Sequence, residues 1–243
     1  MLGLIGSGNM ARALARGWAE PVLATDSGSG RARKLVDEVG GEALRSNADL
    51  AERAGAVVLA HKPYQLAEVA AEVAPHADYV ISVLGGVSLE QLQAAYPDAK
   101  VVRAMPNTPV EIRQGVTILA ENDCAEEARP LFERVGHVFV VAERILGAAT
   151  ATTGVTPAYV ALVLEAHIDA AIKHGVPAGM ATDMTIETFA GSVALARARD
   201  GDTLTLRREV ASPGGSTARG LAELERGGVR TAFLEAMRAV VAP

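Results

Sequence analysis

The stretch Gly6-Ser7-Gly8-Asn9-Met10-Ala11 decides the fold, because of what stands on either side of it. The five residues before it, Met-Leu-Gly-Leu-Ile, predict a short buried strand, and a helical pattern follows through Trp18. Strand, glycine-rich turn and helix together are the setting of the G-x-G-x-x-G/A fingerprint. Gly6 permits the tight turn, and Gly8 lets a pyrophosphate approach the backbone. The sequence therefore predicts a dinucleotide site, with the pyrophosphate at the positive end of the helix.

In such folds the residue that recognises the adenosine ribose lies about 20 residues past this fingerprint. There the second predicted strand, 21–25, ends in Asp26-Ser27-Gly28-Ser29-Gly30-Arg31. Asp26 would bond a ribose 2′-hydroxyl, which favours NAD. Ser27, Arg31 and Arg33 could hold a 2′-phosphate, which favours NADP. The residues alone leave both open, and the segment could also be a flexible turn with surface arginines.

Further apolar runs alternate with helical patterns at 64–74 and 88–95, which predicts a parallel, doubly wound sheet. The predicted strands are 56–60, 79–84, 100–104, 115–120 and 137–141. Ligands bind beyond the carboxyl ends of such strands. The segments at that edge are His61-Lys62-Pro63, Gly85-Gly86 and Met105-Pro106-Asn107-Thr108-Pro109. Lys62 could hold phosphate or ribose there, or could be a solvated lysine before a helix.

From Ala148 onward the pattern is helical. Thr156-Pro157 is typical of an N-cap followed by Pro in the first turn, and that helix is expected to end at Gly175. Three more helices are predicted at 178–199, 216–226 and 229–241. Since these helices are rich in alanine and poor in aromatic residues, their core would be thin. We therefore expect them to pack against a second copy, as in an obligate dimer.

Composition and charge argue against several classes of function. The chain has 243 residues, a net charge of −6 and no basic arm, which disfavours nucleic acid as a partner. The single cysteine, Cys124, fits a reducing compartment. We find no signal-peptide pattern and no apolar run near the roughly 20 residues of a membrane span, so we expect a cytoplasmic protein without a membrane partner. The five histidines lack metal-ligand spacing, so no metal site is expected.

Near the C-terminus, Ser212-Pro213-Gly214-Gly215-Ser216-Thr217 combines a sharp turn with the predicted start of a helix. Its two glycines allow close approach of a ligand to the backbone. Hydroxyl groups and free first-turn amides make such a helix start suitable for an anion, here a carboxylate, although a simple capped loop would look the same.

These motifs, together with Pro157-Ala158-Tyr159, occur in the order and spacing of one family over nearly the full length. The chain resembles pyrroline-5-carboxylate reductase, the last enzyme of proline biosynthesis. The resemblance implies a Rossmann domain over 1–143 and an all-α dimerisation domain over 144–243. This second domain would be of the kind found at the C-terminus of 6-phosphogluconate dehydrogenase and interleaved with its partner.

The resemblance also implies a reaction and its residues. The reaction would be NAD(P)H-dependent reduction of 1-pyrroline-5-carboxylate to L-proline, with NADPH preferred and NADH possible. Thr217 would be catalytic, at the ring nitrogen. The remaining substrate residues would be Glu143, near the ammonium, and Ser212, Gly214, Gly215 and Ser216. The cofactor residues would be Gly6, Ser7, Gly8, Asn9, Met10, Asp26, Ser27, Asn47, Ala60, His61, Lys62, Pro63, Gly85, Met105 and Asn107.

The chain departs from the family pattern at Val155 and Thr156, where small residues are usual, and at His61, where valine is usual. Glu209 stands where relatives often have a neutral polar residue. The alternatives are therefore a reductase of another cyclic imino acid, such as a six-membered ring analogue, and a non-catalytic nucleotide-sensing dimer. A β-hydroxyacid dehydrogenase is disfavoured, because Lys173, the only lysine in the C-terminal half, lies at a helix end.

Overall fold

The computed structural model describes residues 1–241, and the chain divides into two compact units, Met1–Pro157 and Ala158–Pro243. They are called unit 1 and unit 2 below. Unit 1 extends past the predicted domain boundary at residue 143, because the helix that begins there packs against the sheet of unit 1 through the fully buried Leu146.

An eight-stranded sheet forms the centre of unit 1, in the order β3-β2-β1-β4-β5-β6-β7-β8. The strands are β1 (Leu2–Ile5), β2 (Val22–Thr25), β3 (Gly41–Ala43), β4 (Ala56–Leu59), β5 (Tyr79–Ser82), β6 (Lys100–Pro106), β7 (Gly115–Ala120) and β8 (Gly136–Val141). The order reverses at β1, which has β2 on one side and β4 on the other. This reversal is the topological switch point beside which doubly wound sheets bind their ligands.

Helices cover both faces of this sheet. They are α1 (Asn9–Trp18), α2 (Arg31–Val39), α3 (Asn47–Arg53), α4 (Leu66–Val73), α5 (Leu89–Ala95), α6 (Ala125–Glu133) and α7 (Glu143–Thr153), with 3-10 turns at Pro63–Gln65 and Thr108–Ile112. Neighbouring strand residues point to opposite faces, so Leu4 packs in the core beneath α1, α2 and α6, while Ile5 packs beneath α3, α4 and α5. Apolar side chains on both faces explain why the strands read as continuous hydrophobic runs.

Two features of the sheet differ from the prediction. β3 was not predicted, because its three residues, Gly-Glu-Ala, carry no apolar run and lie at the edge of the sheet. The sheet is also not wholly parallel, since β6 and β7 pair antiparallel with Met105 opposite Ile118. The short connection between these two strands, a single 3-10 turn, leaves no room for the helical crossover that a parallel pair requires.

Unit 2 is helical throughout its described part. Its helices are α8, which begins at Thr156 at the end of unit 1 (Thr156–Lys173), α9 (Ala178–Ala198), α10 (Thr203–Val210), α11 (Ser216–Arg226) and α12 (Val229–Val241). Gly175, with φ +91°, turns the chain after α8, as the sequence predicts. The sequence shows only a polar run at 202–209 and predicts no helix there, yet the chain forms α10. The N-cap of α10 is Asp202, whose side chain accepts a hydrogen bond from the N–H of Thr205 at 2.9 Å.

The helices of unit 2 leave most of their apolar side chains exposed. Among residues 158–241 only Ala181 and Thr185 are buried. Leu162 and Leu234 are 64% and 70% exposed, and Val160 and Ile172 of α8 are also exposed. A helix that displays this much apolar surface requires another surface to cover it.

One segment is long and apolar enough to cross a membrane by length and composition. It is Glu143–Lys173, in which a stretch of 18 residues has a mean hydropathy of 1.4, so the expectation that no apolar segment approaches that length is wrong. The run is divided into α7 and α8. Its hydropathy arises from the alanine, valine and leucine side chains that unit 2 leaves exposed, which a partner helix would cover as well as a lipid would.

Candidate functional site

A cleft of 620 Å³ lies at the carboxyl ends of β1, β2, β4 and β5, beside the switch point. Every predicted cofactor residue lines it except Met105 and Asn107. These lining residues are Gly6, Ser7, Gly8, Asn9, Met10, Asp26, Ser27, Asn47, Ala60, His61, Lys62, Pro63 and Gly85. The cleft thus gathers residues from five separate segments of the chain into one groove.

The glycine-rich turn has the shape that a pyrophosphate requires. Gly6 has φ +92°, and a Cβ there would lie 2.6 Å from the backbone nitrogen of His61, so no other residue fits. At Gly8 a Cβ would meet no protein atom within 4 Å, which leaves the backbone open to the cleft. Gly8 is also the N-cap of α1 and makes no side-chain cap, so the first-turn amides of α1 are available to an anion. These residues fit a dinucleotide phosphate.

Hydrogen bonds fix the floor of the cleft near the end of β2. The Ser7 hydroxyl donates to the carbonyl of Thr25 at 3.0 Å. The Thr25 hydroxyl donates in turn to Oδ1 of Asn47 at 2.7 Å, and Nδ2 of Asn47 donates to Oε2 of Glu72 at 2.8 Å. The amide orientation of Asn47 is therefore determined from both of its ends.

The carboxylate of Asp26 accepts hydrogen bonds from its own loop. The donors are the backbone N–H groups of Gly28, at 2.7 Å, and of Ala32, at 2.6 Å. Partial burial alone would raise the pKa of Asp26, but these bonds to the charged form outweigh it and the pKa lies below its usual value. The carboxylate organises the turn into α2, while Ser27, Ser29 and Arg31 line the cleft. Arg33, also considered from the sequence, pairs with Asp37 instead.

His61 and Lys62 stand where the chain leaves β4. Nδ1 of His61 lies 2.9 Å from the carbonyl oxygen of Lys62. Burial lowers the pKa of His61, so the ring is neutral near pH 7 and Nδ1 carries the proton that it donates. Lys62 leads into the 3-10 turn at Pro63, and its N–H donates to Oε1 of Gln65 at 3.2 Å.

Met105 and Asn107 lie outside the cleft and contact other parts of unit 1. Met105 packs with Ile118 and Leu146 in a small apolar cluster between β7 and α7. Asn107 is buried, and its Nδ2 donates to the carbonyl of Thr153 at 3.1 Å while its Oδ1 accepts from the N–H of Val116 at 2.7 Å. The amide of Asn107 therefore joins three segments of unit 1, and neither residue lines the cleft.

Glu143, predicted near the substrate ammonium, begins α7 and forms an ion pair with Arg103 of β6. Its Oε1 also accepts from the N–H of Leu89 at 3.2 Å, while Oε2 is buried without a partner among the described residues. The side chain of Arg103 is only 13% exposed, so it is desolvated and needs this carboxylate. The charge of Glu143 is thus balanced within unit 1.

In unit 2 the predicted carboxylate site is a tight turn before α11. Gly214 has φ +70°, as the third residue of a type II turn requires, and the N–H of Gly215 donates to the carbonyl of Ser212 at 3.0 Å. The amide of Gly215, one of the predicted substrate residues, is therefore used within the turn and is not free for a carboxylate. The amides of Ser216 and Thr217 begin α11 and remain available to an anion.

Several cleft residues were not predicted from the sequence. They are Ile5, Thr25, Ser29, Gln65, Glu68, Val69, Glu72, Val83 and Leu84. The four-residue spacing of Glu68 and Glu72 does place them on one face of α4, but on an amphipathic helix such a pair ordinarily indicates a solvated face. Among residues 1–241 no group of three or more histidine, cysteine, aspartate or glutamate side chains could hold a metal ion.

Family models match both parts of the chain. Residues 143–242 match pyrroline-5-carboxylate reductase dimerisation, and residues 1–86 match NADP oxidoreductase coenzyme F420-dependent. The first of these matches covers most of the helical region, and the second ends at the glycine pair after β5.

Full-length relatives agree with these matches. Pyrroline-5-carboxylate reductase of Synechocystis sp. is 36% identical over 98% of this chain and 94% of its own length. The enzyme of that name from Thermus thermophilus is also 36% identical, over 98% of this chain and 95% of its own. A crystal structure of Plasmodium falciparum pyrroline carboxylate reductase with NADP bound superposes with a TM-score of 0.89 at 28% identity, covering 99% of this chain and 95% of that one.

Proposed function

Because the chain belongs to the pyrroline-5-carboxylate reductase family, we propose that it uses NADPH in preference to NADH and acts as a homodimer. It is an NAD(P)H-dependent oxidoreductase acting on a C=N bond, and it reduces 1-pyrroline-5-carboxylate to L-proline. The relatives favour this substrate over a six-membered ring analogue. The cytoplasmic location expected from the sequence stays a prediction.

The preference for NADPH is supported chiefly by the state of Asp26. An aspartate at this position favours NAD when its carboxylate is free to accept from the ribose 2′-hydroxyl. Here each oxygen of that carboxylate already accepts from a backbone N–H of its own loop, which directs the carboxylate toward the loop. Ser27, Ser29 and Arg31 line the same end of the cleft, and they offer the donors and positive charge that a 2′-phosphate needs.

The reaction requires little acid–base catalysis from the protein. A cyclic imine protonated in solution is already an electrophile, and bound NADPH supplies the hydride to its carbon. We propose that the amides of Ser216 and Thr217 hold the substrate carboxylate and that the Thr217 hydroxyl hydrogen-bonds the ring nitrogen. The turn at Gly214 presents these donors without reorganisation, so the chain contributes mainly by orientation.

The cofactor proposal is tested by comparing kcat/KM for NADPH and NADH in the wild type and in Arg31→Ala. We expect Arg31→Ala to lower kcat/KM for NADPH by about tenfold, the value of a lost charged hydrogen bond, and to leave NADH nearly unchanged. Arg33→Ala is the control, because Arg33 pairs with Asp37. Equal losses with both cofactors in Arg31→Ala would contradict the assignment.

The role of Thr217 is tested with Thr217→Ala and 1-pyrroline-5-carboxylate. We expect kcat/KM to fall by about 10- to 100-fold, because an unpaired ring nitrogen is poorly oriented. Thr182→Ala is the matched control, since its hydroxyl donates only to the carbonyl of Ala178 one turn earlier in α9. Wild-type turnover that persists unchanged in Thr217→Ala would remove Thr217 from the mechanism.

A further inference from the structure

One wall of the cofactor cleft carries an unexpected charge. Glu68 and Glu72 of α4 both line the cleft, although a dinucleotide brings two or three phosphate groups into it. Carboxylates near phosphates weaken binding by like-charge repulsion. This wall therefore suits an uncharged part of the cofactor that bears a hydrogen-bond donor, because a carboxylate can only accept.

The position of Glu72 indicates which part of the cofactor it faces. Oε2 accepts from Nδ2 of Asn47 at 2.8 Å, and Oδ1 of Asn47 accepts from the hydroxyl of Thr25 at 2.7 Å. Thr25 is the last residue of β2, where the adenosine half of a dinucleotide binds in this fold. Glu72 is thus joined to the adenosine end of the cleft and not to the nicotinamide end.

The surroundings of Glu72 suit a purine base. Val69, one turn earlier in α4, is 5% exposed and also lines the cleft, so it provides apolar contact for a flat ring. Adenine has a single donor on its ring edge, the exocyclic amino group. One oxygen of Glu72 is committed to Asn47, and the other is free to accept from that amino group.

We propose that Glu72 recognises the adenine amino group and makes the cleft selective for adenine over bases that carry a carbonyl there. This inference rests on the proposed use of a nicotinamide dinucleotide. Asn47 acts as a positioning residue, because its Nδ2 fixes which carboxylate oxygen is left for the base. Hypoxanthine presents a carbonyl oxygen where adenine has the amino group, so two acceptors would face each other and binding would weaken.

The test compares the dissociation constants of NADPH and of its hypoxanthine analogue, measured by the fluorescence of the reduced nicotinamide. The wild type should bind the adenine form about tenfold more tightly, the effect of one mismatched hydrogen bond. Glu72→Gln should reverse this order. Nδ2 of Asn47 would hold the glutamine oxygen, leaving the glutamine N–H groups to donate to the carbonyl of hypoxanthine.

Glu68→Gln is the matched control, because it removes the same charge from the same wall without a bond to Asn47. It should tighten both cofactors alike and keep the preference for adenine. Equal affinity of the wild type for both bases would overturn the proposal, and so would an unchanged preference in Glu72→Gln. If Glu72→Gln weakened both forms equally, the donor would be a ribose hydroxyl, and the base assignment would be wrong.

Measuring turnover distinguishes a failure of the Glu72 assignment from a failure of the proposed function. If NADPH binds and 1-pyrroline-5-carboxylate is reduced while the two bases bind alike, only the role of Glu72 fails. If NADPH does not bind at all, the assignment of the cleft itself is contradicted.

Discussion

In unit 1 the side chains of Leu4, Leu14 and Phe132 are fully buried, whereas in unit 2 the buried residues among those described are Ala181 and Thr185 alone. The two units have similar apolar composition but use it differently. Unit 1 closes two cores around a sheet by itself. Unit 2 displays its leucine, valine and methionine side chains, so its fold is complete only against a second surface.

The largest effect should come from a charge on the apolar face of unit 2. Leu162 is 64% exposed in the single chain, and we expect it to be buried between two copies. Leu162→Asp would bury an unpaired carboxylate twice in a symmetric dimer, which costs roughly 6–10 kcal/mol per dimer. Sedimentation velocity should show dissociation.

The control lies in unit 1. Ile112 is 69% exposed, and Ile112→Asp should leave both mass and stability nearly unchanged, within about 0.5 kcal/mol. If Leu162→Asp behaved like Ile112→Asp, the contrast between the two units would disappear.

The next effect concerns the core of unit 1. Phe132 is fully buried beneath the sheet, with its ring 6.3 Å from that of Trp18. Phe132→Ala should lower the unfolding free energy by about 3–5 kcal/mol, measured by denaturant titration. Phe233 of unit 2 is 50% exposed in the single chain. If Phe233→Ala destabilises only at concentrations where the wild type is associated, the two units differ as described; the same loss at every concentration would contradict this.

Ion pairs extend the comparison on a smaller scale. Glu143→Ala leaves Arg103, 13% exposed, without its carboxylate, and should cost about 1–3 kcal/mol. Glu223 of unit 2 pairs with Arg226, and both side chains are 69% exposed, so Glu223→Ala should cost less than about 0.5 kcal/mol. Thermal unfolding of both variants distinguishes them. Equal shifts in melting temperature would mean that burial does not determine how much these ion pairs stabilise the protein.

The smallest effect is the pH dependence of Asp26. Because its folded pKa lies below the ordinary 3.8, its contribution to stability is present above that value and is lost as pH falls through the lower folded pKa. Asp26→Asn should therefore be less stable than the wild type at pH 6, by less than about 1 kcal/mol. The difference should shrink below about pH 4. A difference independent of pH would show that the loop does not depend on the charge.

The sequence was sufficient for elements whose signal is local. The glycine turn at Gly6, the strands with continuous apolar runs, and the helices 216–226 and 229–241 all lie where the pattern predicted them. The three-residue β3 was missed because an edge strand needs no apolar run. Helix α10 was missed because its polar, threonine- and arginine-rich sequence has no buried side that a pattern could reveal.

Like the fold, the candidate site could be predicted only where a local pattern marks it. Thirteen of the residues that line the cleft were predicted from strand ends and the family resemblance, but which of their atoms are free was not. The carboxylate of Asp26, the amide of Gly215 and both ends of Asn107 are committed to backbone groups. Whether such an atom is already hydrogen-bonded depends on loop geometry, which the residue type alone does not determine. Glu72 escaped notice because only its bond to Asn47 distinguishes it from a solvated glutamate.

The mass of the wild-type protein in solution tests the contrast between the two units most directly. Sedimentation equilibrium should give an even multiple of the 25.2 kDa chain at all concentrations where unit 2 is folded. Loss of helical signal on dilution should coincide with dissociation. A 25.2 kDa species that keeps its full helical content would contradict the account, because unit 2 would then be stable with its apolar side chains exposed.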